Sequence, residues 1–437
     1  VWLVPHFEKM LYDNALLVMA YLEGFQVTGN LLFKQVVDET LAYVQKEMTA
    51  PDGGFYSATD ADSLTPSGER DEGYFFTWTP QELEAVLGSE DATVVARLYG
   101  VTDAGNFEGR NILNVRLPAA TVAADLGIPE DALRETVADA KLSLYEHRAR
   151  RPAPFRDEKI ITAWNGLMIS AFARSGLMLG NPDYVRTAQN AARFILGNLY
   201  ADQRLLRSYK DGQARHKAYL DDYAFFIAAL LDLFEADPDP LWFETALALD
   251  KILADLYEDS ANGGFFMTAD DHEDLIAREK PGYDGALPSG NAVAVMNLLR
   301  FAAFTTDDDF RKRATRAMAA FASPLQSNPL GISEMMLALD FSMDVSKELV
   351  IAMPEDAPQG KEVFLEALRG IYLPNRILVQ VEQGEHAAKL AKRMPLVKGK
   401  SPQNGKSVAY VCEKGVCQLP SFTAEDFSRQ LRSGHQP

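Results

Sequence analysis

The most informative pattern in this chain is a set of segments that are apolar on nearly every face of a helix. Four such segments occur, and they are Met10–Phe25, Thr162–Leu179, Tyr219–Phe234 and Asn291–Phe304. A helix without a polar face is buried on all of its sides. The pattern therefore predicts inner helices, and we expect the last three segments to line the axis of the fold.

Each apolar segment is followed by an amphipathic one. These segments are Leu31–Met48, Pro182–Leu199, Leu241–Tyr257 and Asp307–Phe321. The second shows one apolar stripe at helical spacing, formed by Tyr184, Val185, Ala188, Ala191, Ala192 and Ile195. Alternation of fully and half-buried helices is typical of helical hairpins arranged in two layers around an axis. We expect an all-α, α/α toroid, and the alternative is an open α-solenoid, which shares the hairpin pattern.

Other segments interrupt the helical pattern. Gly53–Tyr56 and Gly263–Phe266 each begin with two glycines, which end a helix, and continue with aromatic residues, which begin a strand. The segment from Ser57 to Pro154 is rich in turn residues and contains a strand-like stretch, Gly73–Trp78. We interpret it as further hairpins and an elaborated rim with short β-hairpins.

The pattern changes again after Asp344. Glu348–Ala352 and Arg376–Val381 are predicted strands, and a helix is predicted between them at Lys361–Leu368. The sequence thus predicts two domains, a toroid over residues 1–345 and a small α/β appendage over residues 346–437.

Charge and length restrict the classes of function. The 437 residues include 43 Lys and Arg against 62 Asp and Glu, a net charge of −19. Such a surface repels phosphate backbones and anionic lipids, so nucleic acid and membrane are not expected partners. Wholly apolar runs such as Tyr223–Leu231 are less than half of the roughly 20 residues that span a bilayer.

The cysteine content points to a reducing compartment. Cys412 and Cys417 are the only cysteines, and their C-x4-C spacing fits neither a redox C-x-x-C motif nor a zinc site. We expect buried thiols and a cytoplasmic protein. The chain starts at Val1 without methionine, in apolar sequence, which we interpret as a cut or processed end; any targeting peptide would have preceded it.

Polar residues collect where the inner helices are predicted to begin. In a toroid with parallel inner helices these starts share one rim, and carboxylates, amides and an indole together suit a sugar. Asp, Ser and Asn are also preferred N-caps, so a capping role is the alternative for each of them. The candidate substrate-binding residues are Glu8, Lys9, Asp13, Asp62, Asp157, Lys159, Trp164, Asn165, Asp221, Tyr223, Ser289 and Asn291.

Three residues are candidates for proton transfer. His6 precedes a buried helix, and histidine is a side chain suited to proton transfer near neutral pH, although a histidine in a packed loop would look the same. Asp60 would share one strand face with Asp62, or both would be solvated in a turn. Asp222 and Asp221 are neighbours that diverge by about 100° on a helix, and we expect Asp222 to face inward.

Motifs for other chemistries are absent from the sequence. It contains no G-x-G-x-x-G after a strand, no Walker loop, no H-E-x-x-H and no G-x-S-x-G. Neither a metal nor a cofactor is therefore predicted.

The motifs together resemble the YyaL-type family, also called spermatogenesis-associated thioredoxin-domain proteins. The resemblance rests on Pro5–Asp13, Asp60–Ser63, Asp157–Lys159, Thr162–Leu167, Leu220–Ala224, Pro288–Asn291 and Tyr410–Cys412, which span almost the whole chain. It implies a six-hairpin, glycosidase-like (α/α)6 toroid, similar to the N-acylglucosamine and cellobiose 2-epimerases. It also implies a thioredoxin-like domain ahead of Val1.

The resemblance leaves several functions open. One is a carbohydrate-binding toroid that acts as a sugar epimerase or isomerase by general acid–base proton transfer. The second is a non-catalytic module that binds a sugar or a protein and serves the thioredoxin-like domain. The third is glycoside hydrolysis by two carboxylates, which requires a separation of roughly 5–5.5 or 6.5–9.5 Å between them.

Overall fold

The computed structural model describes residues 4–272 and 276–433. The chain folds into two units. The first contains Val1–Met10 and Ala58–Asp157, and the second contains Leu11–Ser57 and Glu158–Pro437. This division differs from the predicted boundary at residue 345, because the residues that follow it pack with the helices of the second unit.

Most of the chain is helical. The helices are α1 (Leu11–Thr28), α2 (Leu31–Glu47), α3 (Pro80–Tyr99), α4 (Ala119–Leu126), α5 (Glu130–Arg148), α6 (Thr162–Leu179), α7 (Pro182–Asn198), α8 (Leu220–Ala236), α9 (Pro240–Leu256), α10 (Gly290–Thr305), α11 (Asp308–Ala320), α12 (Ala322–Ser327), α13 (Ser333–Met343), α14 (Glu362–Arg369), α15 (Glu385–Arg393) and α16 (Ala424–Arg432). The predicted helix pairs all occur, with bounds that differ by a few residues from those predicted.

The strands are short. They are β1 (Lys9–Met10), β2 (Ala58–Thr59), β3 (Asp62–Leu64), β4 (Arg70–Glu72), β5 (Arg156–Asp157), β6 (Ile160–Ile161), β7 (Tyr200–Ala201), β8 (Arg204–Lys210), β9 (Gln213–Lys217), β10 (Lys347–Met353), β11 (Arg376–Glu382), β12 (Val408–Glu413) and β13 (Val416–Cys417). The strand predicted at Gly73–Trp78 is instead a 3-10 turn over Tyr74–Phe76. It begins after Gly73, whose φ of 74° lies in the left-handed region and interrupts an extended backbone.

The second unit has two layers of helices. Its inner helices pack side by side in the order α1, α6, α8, α10 and α13, and α2, α7, α9 and α11 pack outside α1, α6, α8 and α10. Helices α6, α8 and α10 are buried along nearly their whole length, as their apolar sequences predict. The α/α toroid class with small sheets is confirmed.

Helix α1 departs from its prediction. It was expected to be buried on every face, but its buried residues are Leu11, Ala15, Val18 and Leu22, which form a single stripe. The Leu17 side chain on another face is 54% exposed. Among the described residues, α1 is therefore covered on one face only, although its sequence is apolar on nearly every face.

The C-terminal α/β segment completes the second unit. Its sheet has the order β11-β10-β12-β13, with β10 parallel to β11 and antiparallel to β12. Arg369 Nε donates to the Leu177 carbonyl at the end of α6 (2.8 Å), and Gln380 Nε2 donates to the Glu235 carbonyl at the end of α8 (2.6 Å). The segment is thus bonded to the C-terminal ends of α6 and α8.

The two cysteines form a disulfide, and the expectation of ordinary buried thiols is wrong. Cys412 on β12 and Cys417 on β13 are direct partners in the antiparallel register, and their sulfurs are bonded. The C-x4-C spacing allows this because the strand pair turns at Lys414 and Gly415, both with positive φ. Cys412 is buried and Cys417 is exposed.

No helix within residues 4–272 and 276–433 is both long enough and apolar enough to cross a membrane.

Candidate functional site

The starts of the inner helices in the second unit meet at a cavity of about 470 Å³, here called the rim cavity. Tyr12 from α1, Trp164 from α6, Asp221 from α8 and Gly290 from α10 all lie within the first three residues of their helices. The loop that precedes α10 supplies the remaining wall, with Met267, Glu279, Pro281, Tyr283, Gly285, Ala286, Leu287, Pro288 and Ser289.

Aromatic side chains form one side of the rim cavity. The rings of Tyr12 and Trp164 meet edge to face, with their centroids 4.8 Å apart. Both rings are half-buried, and the Tyr283 ring is 69% exposed. Half-buried aromatic rings offer an apolar surface with a polar edge, as required to pack against one face of a sugar ring.

Asp221 contributes a carboxylate to the lining of the rim cavity. The backbone N–H of Gly290, at the first residue of α10, favours its ionised form. Burial, followed by the neighbouring carboxylate of Asp222, raises the pKa of Asp221 to about 6, against opposing effects of Arg207 and of the Gly290 N–H. An acid with this pKa both gives and accepts protons near neutral pH.

Asp222 does not line the rim cavity, so the expected orientation of this pair is reversed. Its carboxylate is fully buried and accepts hydrogen bonds from the backbone N–H of Ala163 (3.0 Å) and of Tyr219 (2.8 Å) and from Arg207 Nη1 (3.1 Å). It closes the capping box at the start of α8 and ties that start to α6. Asp221, one residue earlier, points about 100° away and reaches the cavity.

Asn165 and Asn291 share a structural role. The Asn165 side chain accepts from the Phe55 N–H (2.8 Å) and donates to the Phe55 carbonyl (3.0 Å). Asn291 makes the same pair of bonds with Phe265, at 2.7 and 2.9 Å. Each amide thus locks a Gly-Gly-Phe stretch to the start of an inner helix, and its hydrogen-bonding groups are used within the fold.

Tyr223 and Ser289 also use their hydroxyls internally. The Tyr223 hydroxyl is buried and accepts from the Leu205 N–H (3.0 Å). Ser289 caps α10 by accepting from the Ala292 N–H (3.2 Å), although the residue itself borders the rim cavity. The sequence left helix capping open as an alternative role for these residues. Ser289 has this role at the start of α10, and Asp222 has it at the start of α8.

Other candidate residues belong to the first unit, whereas the rim cavity is built from the second. His6 and Glu8 are exposed, and the Glu8 N–H donates to His6 Nδ1 (3.2 Å). Asp60 pairs with Arg70 at 2.6 Å, and Asp62 lies 3.9 Å from the same guanidinium. The predicted convergence of His6 and Asp60 on the helix starts stays a prediction.

In the small sheet β1-β2-β5 of the first unit, Lys9 lies on β1 and Asp157 on β5, the two strands that pair with opposite edges of β2. Lys9 Nζ lies 3.9 Å from the centroid of the Phe76 ring and donates to the Phe7 carbonyl. Burial, and secondarily the charge of Arg148, lower the pKa of Lys9 to about 8.

Asp13 and Lys159 belong to the second unit and are exposed. Neither is among the described residues that line the rim cavity. Of the predicted substrate-binding residues, the cavity therefore brings together Trp164, Asp221 and Ser289.

Sequence reasoning missed several residues of this cavity. Tyr12 and Gly290 lie inside motifs that were singled out, but an aromatic residue and a glycine carry no charge and drew no assignment. Glu279 and Tyr283 lie in an irregular loop, where the spacing of apolar residues does not show which side chains point into a cavity.

Within the described ranges, no group of three or more His, Cys, Asp or Glu side chains is placed to hold a metal ion.

Comparison with known proteins gives relatives of similar sequence but only distant structural likeness. No protein-family model matches the chain. A D-mannose isomerase structure aligns with a TM-score of 0.38 and 12% identity, covering 72% of this chain and 76% of that one. A sugar epimerase from a ruminal bacterium aligns with a TM-score of 0.40 and 10% identity, with the same coverage.

Sequence similarity is much closer. Human spermatogenesis-associated protein 20 is 34% identical over 450 residues, and an uncharacterized protein of Caenorhabditis elegans is 28% identical over 448. The chain spans 57% of the length of the human protein and 60% of the nematode protein. This chain is thus similar to spermatogenesis-associated protein 20 over 96% of its own length, and the matched part is somewhat more than half of that protein.

Proposed function

We propose that the second unit binds a carbohydrate at the rim cavity and that Asp221 serves there as a general acid and base. The observation that carries this proposal is a carboxyl group with a pKa of about 6 in the same cavity as the Tyr12–Trp164 pair. A polar group that titrates near neutrality beside an apolar ring surface meets both requirements of sugar chemistry, proton transfer and stacking.

The reaction that suits one such carboxyl is isomerisation of an open-chain sugar. The ionised Asp221 takes the proton from C2, next to the carbonyl at C1, and the electron pair moves to O1, which gives an enediolate. Return of that proton to C1, with transfer of the O2 hydroxyl proton to O1, gives the ketose, so that atoms and charge balance without any further reactant. Epimerisation at C2 needs a second group on the opposite face of the carbon, and Glu279 is the other carboxylate in the lining of the rim cavity.

The runner-up function is a non-catalytic binding module. It is favoured by the number of polar rim residues already used by the fold, since Asp222, Asn165 and Asn291 spend their hydrogen bonds on backbone groups. In that case the cavity would bind a sugar, or a segment of a protein, without turning it over. In this alternative, the binding module would serve a thioredoxin-like domain of the same protein. Glycoside hydrolysis would need Asp221 and Glu279 to act as a pair.

The test uses the full chain with D-mannose, N-acetylglucosamine and cellobiose. Binding is measured by isothermal titration calorimetry, and proton transfer is measured by NMR as incorporation of solvent deuterium at C2. We expect Asp221→Asn to abolish deuterium incorporation. The matched control is Asp308→Asn, on the exposed start of α11, which should behave as wild type.

The outcomes separate the functions. Binding with no deuterium incorporation supports the binding module, and release of a free sugar from a disaccharide supports hydrolysis. Incorporation that persists in Asp221→Asn overturns the role of Asp221. Absence of binding by every saccharide in the panel overturns the proposal of a carbohydrate site for those sugars.

A further inference from the structure

A second cavity, of about 290 Å³, lies towards the other ends of the same inner helices, and we call it the lower cavity. Glu23 on α1, Arg174 on α6, Asp232 on α8 and Arg300 on α10 all lie in the C-terminal halves of their helices and line it. Helix α13 and residues 371–376 of the α/β segment complete the lining. The volume is near the lower end of the roughly 300–1,000 Å³ found for ligand sites.

The arginines of the lower cavity are already paired with carboxylates. The pairs are Arg174 with Glu23 (2.8 Å), Arg300 with Asp232 (2.9 Å) and with Glu235 (3.1 Å), and Arg376 with Glu235 (2.5 Å). A guanidinium engaged in this way is not available to an anionic ligand without loss of its partner. The lining therefore does not favour phosphate or a carboxylate ligand.

The carboxylates outnumber the arginines. Besides Glu23, Asp232 and Glu235, the lining contains Glu334 and Asp340, so that two acids remain without a cation. Asp340 accepts a hydrogen bond from the Asn375 amide at 2.8 Å. The Glu334 carboxylate has no side-chain hydrogen bond or ion pair among the described residues, and its backbone N–H donates to Asp284 Oδ2 (2.8 Å). A carboxylate left unpaired in a cavity is costly unless a ligand pairs with it.

The surroundings of Glu334 show how strongly this carboxylate needs a cation. Burial raises the pKa of Glu334 to about 7, helped by the like charges of Asp284 and Glu23 and opposed by Arg174. The other ionisable groups of the cavity are Asp232, Glu235, Arg300, Asp340, Tyr372 and Arg376. A bound cation would stabilise the ionised form and lower this pKa.

We propose that the lower cavity binds a short aliphatic diamine, a class of ligand that neither the rim cavity nor its proposed function involves. Two ammonium groups match the two uncompensated carboxylates, and Glu334 receives one of them. The methylene chain packs against the apolar part of the lining, Met178, Met296, Leu337, Phe341 and Tyr372. A bare metal ion fits less well, because no metal-binding group of three side chains occurs among the described residues.

The probes are putrescine, 1,4-butanediol and Mg²⁺, titrated calorimetrically into the full chain at pH 8. The diol has the same length without charge, and Mg²⁺ has the same charge without a chain. We expect putrescine to bind at least about tenfold more tightly than either, a difference of roughly 1.4 kcal/mol. Binding should weaken from pH 8 to pH 6 as Glu334 takes up a proton.

Two variants locate the site. Glu334→Gln should weaken putrescine binding about tenfold or more, whereas Glu244→Gln, on the exposed face of α9, should leave it unchanged. Leu337→Trp should block the cavity without a change in charge, and Leu241→Trp, 45% exposed on α9, is its control. Circular dichroism confirms that each variant is folded.

The proposal is overturned if the diol or Mg²⁺ binds as tightly as putrescine, or if no heat is seen up to about 10 mM, which is tenfold above the dissociation constant of about 1 mM of a weak site. It is also overturned if Glu334→Gln and Leu337→Trp bind putrescine as wild type does. Because these residues belong to the lower cavity, a negative result leaves the proposed carbohydrate site unaffected.

Discussion

The carboxylate of Asp221 lies in the space that a side chain at residue 290 would fill. A Cβ atom built on Gly290 would be 2.3 Å from Asp221 Oδ1, far inside van der Waals contact. The absence of a side chain at Gly290 lets the first N–H of α10 approach the carboxylate directly. The glycine therefore positions the group that we propose as acid and base.

Replacement of Gly290 by alanine should displace Asp221 from the rim cavity. We expect saccharide binding or turnover to fall at least about tenfold, equivalent to roughly 1.4 kcal/mol, because a misplaced catalytic group loses rate steeply. Calorimetry and the deuterium assay measure the effect. Gly197→Ala is the control, since Gly197 lies in α7 with open space around it and should gain about 0.5–1 kcal/mol of helix stability. Unchanged activity in Gly290→Ala would argue against Asp221.

Asp221 should make stability depend on pH between about 4 and 6. Its pKa rises from 3.8 to about 6 in the folded state, so the folded protein holds this proton to higher pH than the unfolded chain does. The stabilisation from that proton is complete below the unfolded pKa and is lost as pH rises through about 6.

Asp221→Asn should remove this dependence. The amide has nearly the same shape as the carboxyl group, while the charge that burial penalises is gone, so we expect a higher melting temperature than wild type at pH 8. The difference should shrink as the pH falls towards 4. Melting curves of both proteins from pH 4 to 8 measure it, and parallel curves across that range would contradict the assigned pKa.

The sequence was sufficient to locate the helices but not to decide which side chains face the cavities. The pattern over Thr162–Leu179 matched α6 residue for residue, because inner helices carry an unbroken apolar signal. Which of Asp221 and Asp222 points into the cavity depends on the capping box that Asp222 forms with Tyr219. Two adjacent aspartates in a sequence do not show which of them forms such a box.

Some features were hidden for other physical reasons. An apolar sequence such as that of α1 shows what a helix can bury and does not show what covers it, as exposed Leu17 illustrates. Glu334 drew no attention because a lone glutamate near a helix start looks like an ordinary stabilising charge. Its burial arises from the meeting of α1, α6 and α13, which are far apart in sequence.

Asn165 should be important for stability. Its amide satisfies the buried N–H and carbonyl of Phe55 at once, so Asn165→Ala leaves both backbone groups without a partner. At roughly 1–3 kcal/mol for each unsatisfied buried group, we expect a loss of about 2–6 kcal/mol in the free energy of unfolding. Urea denaturation measures this loss. Asn190→Ala, at an exposed position on α7, should change stability by less than about 0.5 kcal/mol. Equal effects of the two substitutions would contradict the structural role.

The Cys412–Cys417 disulfide leads to a prediction about thiol content and stability. Because these are the only cysteines, protein denatured without reductant should show no free thiol, and reduction should release two. Closing so short a loop is worth about 2 kcal/mol in the chain-entropy account, so Cys417→Ser should lower the free energy of unfolding by up to that amount. The loss should vanish when both proteins are compared in reductant, since neither then has the disulfide.

Thiol titration with a chromogenic disulfide reagent measures the free thiols, and urea denaturation measures the free energy of unfolding, each with and without dithiothreitol. Two reactive thiols in the unreduced, denatured protein would instead support the original expectation of free cysteines.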